Sequence, residues 1–499
     1  MFKRLKQIFQ KILLISTAID KYKKETVIQS LPAISYVNRA KKYIDNNDFT
    51  MAEKILTEAL SLPQKDALVH KYLGLVYEKT GRFDLSVENY QISAELNPND
   101  KNIWQRLGFA LLSAEKYERA IKSFENSNRV QAGNTDTYTG LGMSYMKLEN
   151  YKDAYENFLK AVSLNKYNFS ALFLAAVMEI KMEMYDRADS KLAFLSNVAP
   201  NEGNTFEYAR LKALRDDVDN AIFYANKSLK INPLMLPSYV LLGQIYTKKL
   251  DKASALKNFE TAAQKGMKSA EFYYEWGKSM LHFEMYNDAK EKFEKALEIS
   301  PENAEFAVYL ALSCTLNNEF DIVENLVAEI KNKQPDNPVL TLVLGIIDFK
   351  NGNYADAIQK LKQNGENPIN CLYTAMAYEK NGNDNKAREY YESALRYNEK
   401  YENAYKKYID FLISKNDYVE ANRKLRKALK HFENNTDLLN LMFFVSYILV
   451  KDNFSDYNVK EALSIADKIE KSGAEFKYDE QRQEIKRLLE EREKNCENS

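Results

Sequence analysis

Three histidines and three cysteines are the residues of this chain best suited to hold a metal or attack a substrate. The histidines are His70, His282 and His431; the cysteines are Cys314, Cys371 and Cys496. A structural zinc site needs converging ligands with short local spacings, and a nucleophilic site needs a base within hydrogen-bond reach of its Ser or Cys. Neither pattern occurs, because all six residues are scattered and no two share a short motif. No segment alternates with the period of a strand, so no Gly-rich loop can follow one and cradle a phosphate. Carboxylates such as Asp216 and Asp217 fall on turns and solvated faces. We therefore expect no catalytic residue, no cofactor and no metal. Recognition through side-chain surfaces is left as the chemistry to look for, and the question becomes which elements would position them.

Those elements repeat. The stretch Lys101–Asn168 divides into two halves that align at an offset of 34 residues. Trp104 falls on Tyr138, Leu107 on Leu141, Gly108 on Gly142, Ala120 on Ala154 and Phe124 on Phe158. Within a half, Tyr138, Leu141, Gly142 and Tyr145 recur at helical spacing, as do Ala154, Phe158 and Ala161. Each unit thus reads as two helices joined by a turn, here Leu148–Tyr151. A small residue on each helix lets the pair approach closely, and large aromatics fill the space beside it.

The small residue of the second helix can be followed as Ala52, Ser86, Ala120, Ala154, Ala188, Ala221, Ala255, Ala289, Val323, Ala357, Ala387, Ala421 and Ala462. Its partner on the first helix runs Ala40, Gly74, Gly108, Gly142, Ala176, Ala209, Gly243, Gly277, Ala311, Gly345, Ala375, Ile409 and Phe443. One lone hairpin cannot bury its apolar face, so a period of this length means stacked units. The ten prolines respect the frame: each lies at the start or end of a repeat, outside helix interiors where it would cost about 3 kcal/mol.

This Gly/Ala and aromatic pattern resembles the tetratricopeptide repeat (TPR) family over about residues 33–471. The resemblance implies an all-α fold, a right-handed α-solenoid of about 13 helix-turn-helix units with capping helices. We expect a basic amphipathic helix over 1–32, an array of about ten repeats over 33–367, and about three more over 368–471. A shortened repeat around Lys362–Pro368 separates the two stretches and is the expected break in the superhelix. A charged amphipathic helix over 475–494, with Phe476, Tyr478, Ile485, Leu488 and Leu489 as its apolar face, is expected to cap the open end.

In TPR proteins the stripe one helical step off the packed face lines the concave surface. Here it reads Gln105, Phe109, Leu112; Thr139, Met143, Met146; Phe173, Val177, Ile180. It reappears as Val308, Leu312, Thr315; Leu342, Ile346, Phe349; Leu372, Met376, Glu379. Two apolar blocks, with Phe109, Met143, Phe173, Val177 and Ile180 in one and Leu312, Leu342, Ile346, Phe349, Leu372 and Met376 in the other, are the candidate partner-binding groove. The same side chains could instead pack between neighbouring first helices. The family's carboxylate clamp for acidic peptide ends is incomplete: Lys71 and Arg106 match, but Leu75 and Tyr72 stand where its other polar groups would be.

Net charge is zero, with 71 basic and 71 acidic residues, which argues against a nucleic-acid partner because binding phosphates needs a basic footprint. Cys314 and Cys371 occupy inward repeat positions and read as small core residues. At the N-terminus, Leu5, Ile8, Phe9, Ile12, Leu13 and Ile19 form a stripe flanked by Lys3, Arg4, Lys6 and Lys11. That segment packs on the array, rests on an anionic membrane through residues 1–20, or serves as an atypical export signal. Met442–Val450 is too short an apolar run to span a bilayer and reads as a buried core helix. The expectation is a non-enzymatic, cytoplasmic scaffold for extended or helical segments of other proteins. The alternative is a membrane-associated assembly factor tethered by the N-terminal helix.

Overall fold

The computed structural model describes residues 33–63, 65–365 and 367–497. The N-terminal segment 1–32 lies outside them. The chain forms two compact units, divided in sequence between Pro233 and Leu234.

The first unit holds six hairpins: α1 (33–45) with α2 (Phe49–Ala59), α3 (Ala67–Lys79) with α4 (Phe83–Leu96), α5 (Ile103–Ser113) with α6 (Tyr117–Val130), α7 (Thr135–Lys147) with α8 (Tyr151–Leu164), α9 (Phe169–Lys181) with α10 (Tyr185–Val198), and α11 (Glu202–Leu214) with α12 (Val218–Ile231). The second unit holds seven: α13 (Leu236–Lys248) with α14 (Lys252–Gln264), α15 (Ala270–His282) with α16 (Tyr286–Ile299), α17 (Ala304–Leu316) with α18 (Phe320–Lys333), α19 (Pro338–Lys350) with α20 (Tyr354–Lys362), α21 (Pro368–Lys380) with α22 (Asp384–Tyr397), α23 (Glu402–Ser414) with α24 (Tyr418–His431), and α25 (Thr436–Asp452) with α26 (Asp456–Lys471). A final helix, α27 (Asp479–Glu497), follows. Among the described residues every regular element is a helix, and the fold is an all-α repeat solenoid.

The small-residue rule has a direct geometric cause. A Cβ built on Gly142 would stand 2.5 Å from Cε1 of Phe158, inside van der Waals contact. The same holds for Gly74 against Tyr90, Gly108 against Phe124, Gly243 against Phe259 and Gly277 against Phe293. The ring of each second helix lies flat on the glycine of the first. Where the first helix carries Ala40, Ala176 or Ala311 instead, the residue sixteen positions on is Leu56, Leu192 or Val327. In these three repeats a methyl on one helix goes with a smaller side chain on the other, as close packing requires, whereas Ala375 is followed sixteen residues on by Tyr391. Helix α7 carries a second glycine, Gly140, whose added Cβ would meet Phe124 of the preceding repeat.

The turns inside the hairpins are equally regular. Asn47, Glu115, Glu149, Glu183, Asp216, Glu284, Asn318 and Asn416 all hold a positive φ of 54–63°. Gly81, Gly352 and Gly382 do so at the equivalent place in their repeats. First helices are opened mostly by side-chain caps. Asn134, Asn168, Asn303, Asn337 and Asn435 each accept a backbone N–H of the first turn. Pro237, Pro338 and Pro368 sit in the first turn of their helices, where no N–H is needed.

The shortened repeat lies inside the second unit, where α20 has nine residues against fourteen in α16, α18 and α22. The cap starts later than the sequence predicts: α27 begins at Asp479, and Phe476 and Tyr478 precede it. Both still cover the end of the core, with Phe476 edge-on to Phe443 at 4.8 Å and Tyr478 stacked on Phe444 at 5.6 Å. Ile485 of α27 is fully buried beside them. Helix α25 is packed as a core element, with Leu438, Phe443, Val445 and Val450 buried. No described helix is long and apolar enough to cross a membrane.

Candidate functional site

The inner stripe is built from first helices laid side by side, each presenting two or three positions. In the first unit these come from α5, α7 and α9. Phe109 is half-buried, its ring edge-on to Phe124 at 5.0 Å. Met143, Met146 and Val177 are half-buried against the cluster formed by Ala154, Phe158 and Ala161. Phe173 is half-buried against Ala176 and Leu192, whereas Ile180 is buried in that cluster. The polar members bind the next repeat. The Asn134 amide donates to Gln105 Oε1 at 3.3 Å, and the Asn168 amide donates to Thr139 Oγ1 at 3.3 Å. Each helix-capping Asn therefore also ties its repeat to the stripe of the one before. The result is a surface of partly exposed apolar side chains with polar ties at one edge.

In the second unit the corresponding block is less open. Leu312, Leu342, Ile346 and Phe349 are buried in one cluster, and Leu372 is buried in the next. Met376 is half-buried between the two clusters. A cleft of about 270 Å³ remains, walled by Leu281, His282, Leu312 and Leu342. It is closed on one side by Asn398 and Tyr401, from the loop between α22 and α23. Tyr401 is 2% exposed. Only the half-buried positions offer a surface in this conformation, because a side chain at 0% exposure has none to give.

The candidate chemical residues are far apart. His70 pairs through Nδ1 with Asn89 Oδ1 at 3.0 Å. Burial holds the His282 imidazole below its usual pKa and so keeps it neutral. His431 ends α24. Cys314 and Cys371 are buried, and burial pushes the Cys314 thiol up to about 11. Among the described residues no three metal-ligating side chains converge. The lysine that could have begun a carboxylate clamp is engaged: Lys71 Nζ lies 2.6 Å from Asp100. Charges on the outer face pair along the stack, as in Arg82 with Glu53 at 2.6 Å and Arg388 with Asp417 at 2.9 Å. Such exposed pairs contribute about 0–1 kcal/mol each.

One feature of the second unit left almost no trace in the sequence. Helix α23 has no side-chain cap of its own: Tyr401 stands where α21 and α25 carry Asn367 and Asn435. The missing cap is supplied by Glu284, from the turn between α15 and α16. Its carboxylate accepts the N–H of Glu402 at 2.8 Å and that of Asn403 at 3.1 Å.

Comparison with known proteins agrees with the repeat geometry. A family model described as the Psidin N-terminal TPR repeats region matches residues 41–199. A tetratricopeptide repeat model matches residues 375–401. The human E3 SUMO-protein ligase RanBP2 is 34% identical over 64 residues, which is 13% of this chain and 2% of that protein. Human RANBP2-like and GRIP domain-containing protein 1 is 36% identical over 64 residues, 13% of this chain and 4% of that one. The chain thus spans only a few per cent of the curated relatives it matches. A chain in the crystal structure of the APC/C hetero-tetramer Cut9–Hcn1 aligns with a TM-score of 0.48 and 15% identity, covering 89% of this chain and 95% of that one. A tetratricopeptide repeat protein from Parabacteroides merdae aligns with a TM-score of 0.42 and 17% identity, covering 48% and 95%.

Proposed function

The chain is a tetratricopeptide-repeat protein, a fold that generally serves as a protein-interaction scaffold, and we propose that it acts as a non-enzymatic adaptor through the inner face of its first unit. The observation that carries this reading is the run of half-buried apolar side chains on consecutive first helices: Phe109, Met143, Met146, Phe173 and Val177. Rigid neighbours hold these side chains at the spacing of stacked helices, so a partner is met by a pre-organised surface. Apolar contact of this kind suits one face of an amphipathic helix or an extended segment with apolar anchors. The two methionines adapt their shape at little cost and suit more than one such segment. The balance of 71 basic and 71 acidic residues gives no electrostatic footprint for nucleic acid.

The test is cross-linking from within the groove. A photo-reactive side chain at Met143 should capture a partner in the wild-type background and lose it in a Phe109→Ser/Phe173→Ser variant of unchanged helicity. A stable variant that still captures the same partner through Met143 would overturn the reading. The membrane-tethered alternative rests on the basic amphipathic pattern of residues 1–20. Flotation of the full chain and of a chain lacking residues 1–32 with anionic liposomes decides it.

A further inference from the structure

A solenoid repeat ordinarily touches only its neighbours. The hairpins α15/α16 and α23/α24 are separated by three others, yet they meet. The contact has two strands. Glu284, at φ 60° in the α15–α16 turn, accepts two backbone N–H groups at the start of α23. Lys400 Nζ, in the loop before α23, donates to the carbonyl of Leu250 at 2.9 Å. Leu250 is the turn residue of α13/α14 and also holds a positive φ, of 56°. Two successive hairpin turns thus grip one distant loop. Between the gripping and the gripped repeats lies the shortened helix α20.

The gripped loop closes a groove. Tyr401, between Lys400 and the capped helix, is buried, and it walls the cleft that Leu281, Leu312 and Leu342 line on the other side. A second cleft of about 490 Å³ adjoins Glu284 itself and reaches Lys252, Lys400, Lys406 and Phe432. Phe283, Met285 and Tyr286 also line that cleft, beside the partly exposed Glu284.

We propose that Glu284 is a releasable clasp: by capping α23 across the intervening repeats it holds the α22–α23 loop and Tyr401 over the inner groove of the second unit, and its release opens that groove. The proposal concerns the second unit only and does not depend on what the first unit binds.

The direction of release follows from the charges around the carboxylate. Burial pushes the Glu284 acid up to about 7, against the N–H donation from Asn403 and Glu402 that favours its ionised form. Glu402 opposes ionisation and Lys406 favours it. Tyr286 and Tyr401 face the same site as neutral phenols. Lys252 and Lys400 line the cleft, with Asp251 close to Lys400. A carboxyl raised in the closed state binds its proton more tightly when closed than when open. Closure is therefore strongest below the ordinary carboxylate pKa and weakens as pH rises through about 7. The closed-to-open ratio should fall by up to about 10²-fold between about pH 5 and about pH 8.5.

Spin labels on Lys257 of α14 and Lys430 of α24, both exposed, report the clasp as a distance distribution in the full chain. Cys314 and Cys371 are buried, and a Cys496→Ser background removes the remaining thiol. In wild type the short-distance population should give way to a longer one as pH is raised. In Glu284→Gln, which keeps one acceptor oxygen and cannot titrate, the distance distribution should be the same at both pH values. A wild-type distance that does not change, or one that changes equally in Glu284→Gln, overturns the proposal.

Discussion

Substituting Gly142 by alanine in α7 tests the packing rule at one atom. In an exposed helix this change stabilises by about 0.8–1 kcal/mol, because alanine loses less backbone freedom on folding. Here the new Cβ would lie 2.5, 2.6 and 2.9 Å from three carbons of the Phe158 ring. Those distances are below contact, and Phe158 and Ala154 are fully buried. Overpacking of this size costs about 1–3 kcal/mol. The clash offsets or outweighs the propensity gain, and the net result should be a loss of up to about 2 kcal/mol. The structure also prescribes the remedy. Some repeats with alanine at this position carry a smaller partner, as in Ala40 with Leu56 and Ala176 with Leu192, although Ala375 has Tyr391 sixteen residues on. Phe158→Leu alone should open a cavity and destabilise. The double change should recover much of both losses, giving a coupling of about 1 kcal/mol or more. The assay is hydrogen exchange of peptides from α7 and α8, supported by urea titration followed by circular dichroism, because a long array need not unfold in one step. A Gly142→Ala protein more protected than wild type would refute the reasoning. So would a double variant whose loss is the plain sum of the single ones.

Other outcomes follow from the same geometry. Glu149 holds a φ of 58° with only backbone bonds at its turn, so Glu149→Gly should raise the melting temperature slightly, by up to about 1 kcal/mol of relief, whereas Glu149→Val should lower it. Removing residues 475–499 should uncover Phe443 and Val459 and produce concentration-dependent association in light scattering, since Phe476, Tyr478 and Ile485 cover them. A truncated chain that stays monomeric would contradict this. The Cys314 thiol, raised to about 11 by burial, should be almost wholly protonated at about pH 8 and react with a disulfide reagent only in denaturant. Reaction of Cys314 in the native chain, read by peptide mapping, would show that the α17 core opens.

The repeat frame was legible in the sequence because its cause is local. Gly142 meets Phe158 sixteen residues later, and Asn134 caps a helix two or three residues on. Many units repeat those contacts, so the period of 34 and the small residue on each helix survive as a pattern of residue types. The inner stripe was legible for the same reason, as positions. Their exposure was not. Phe109 remains half-open while Ile346 is fully buried, and Phe173 remains half-open while Leu372 is fully buried, although each pair shares one register in its helices. That difference is set by how neighbouring repeats pack on each helix, which no single repeat encodes. The grip of Glu284 on α23 is the extreme case. It joins residues 118 and 119 positions apart, and its only sequence mark is a tyrosine where other repeats have a capping asparagine. Spacing along the chain determined which residues face inward; only the tertiary path of the second unit decided that its inner face would be covered by its own loop.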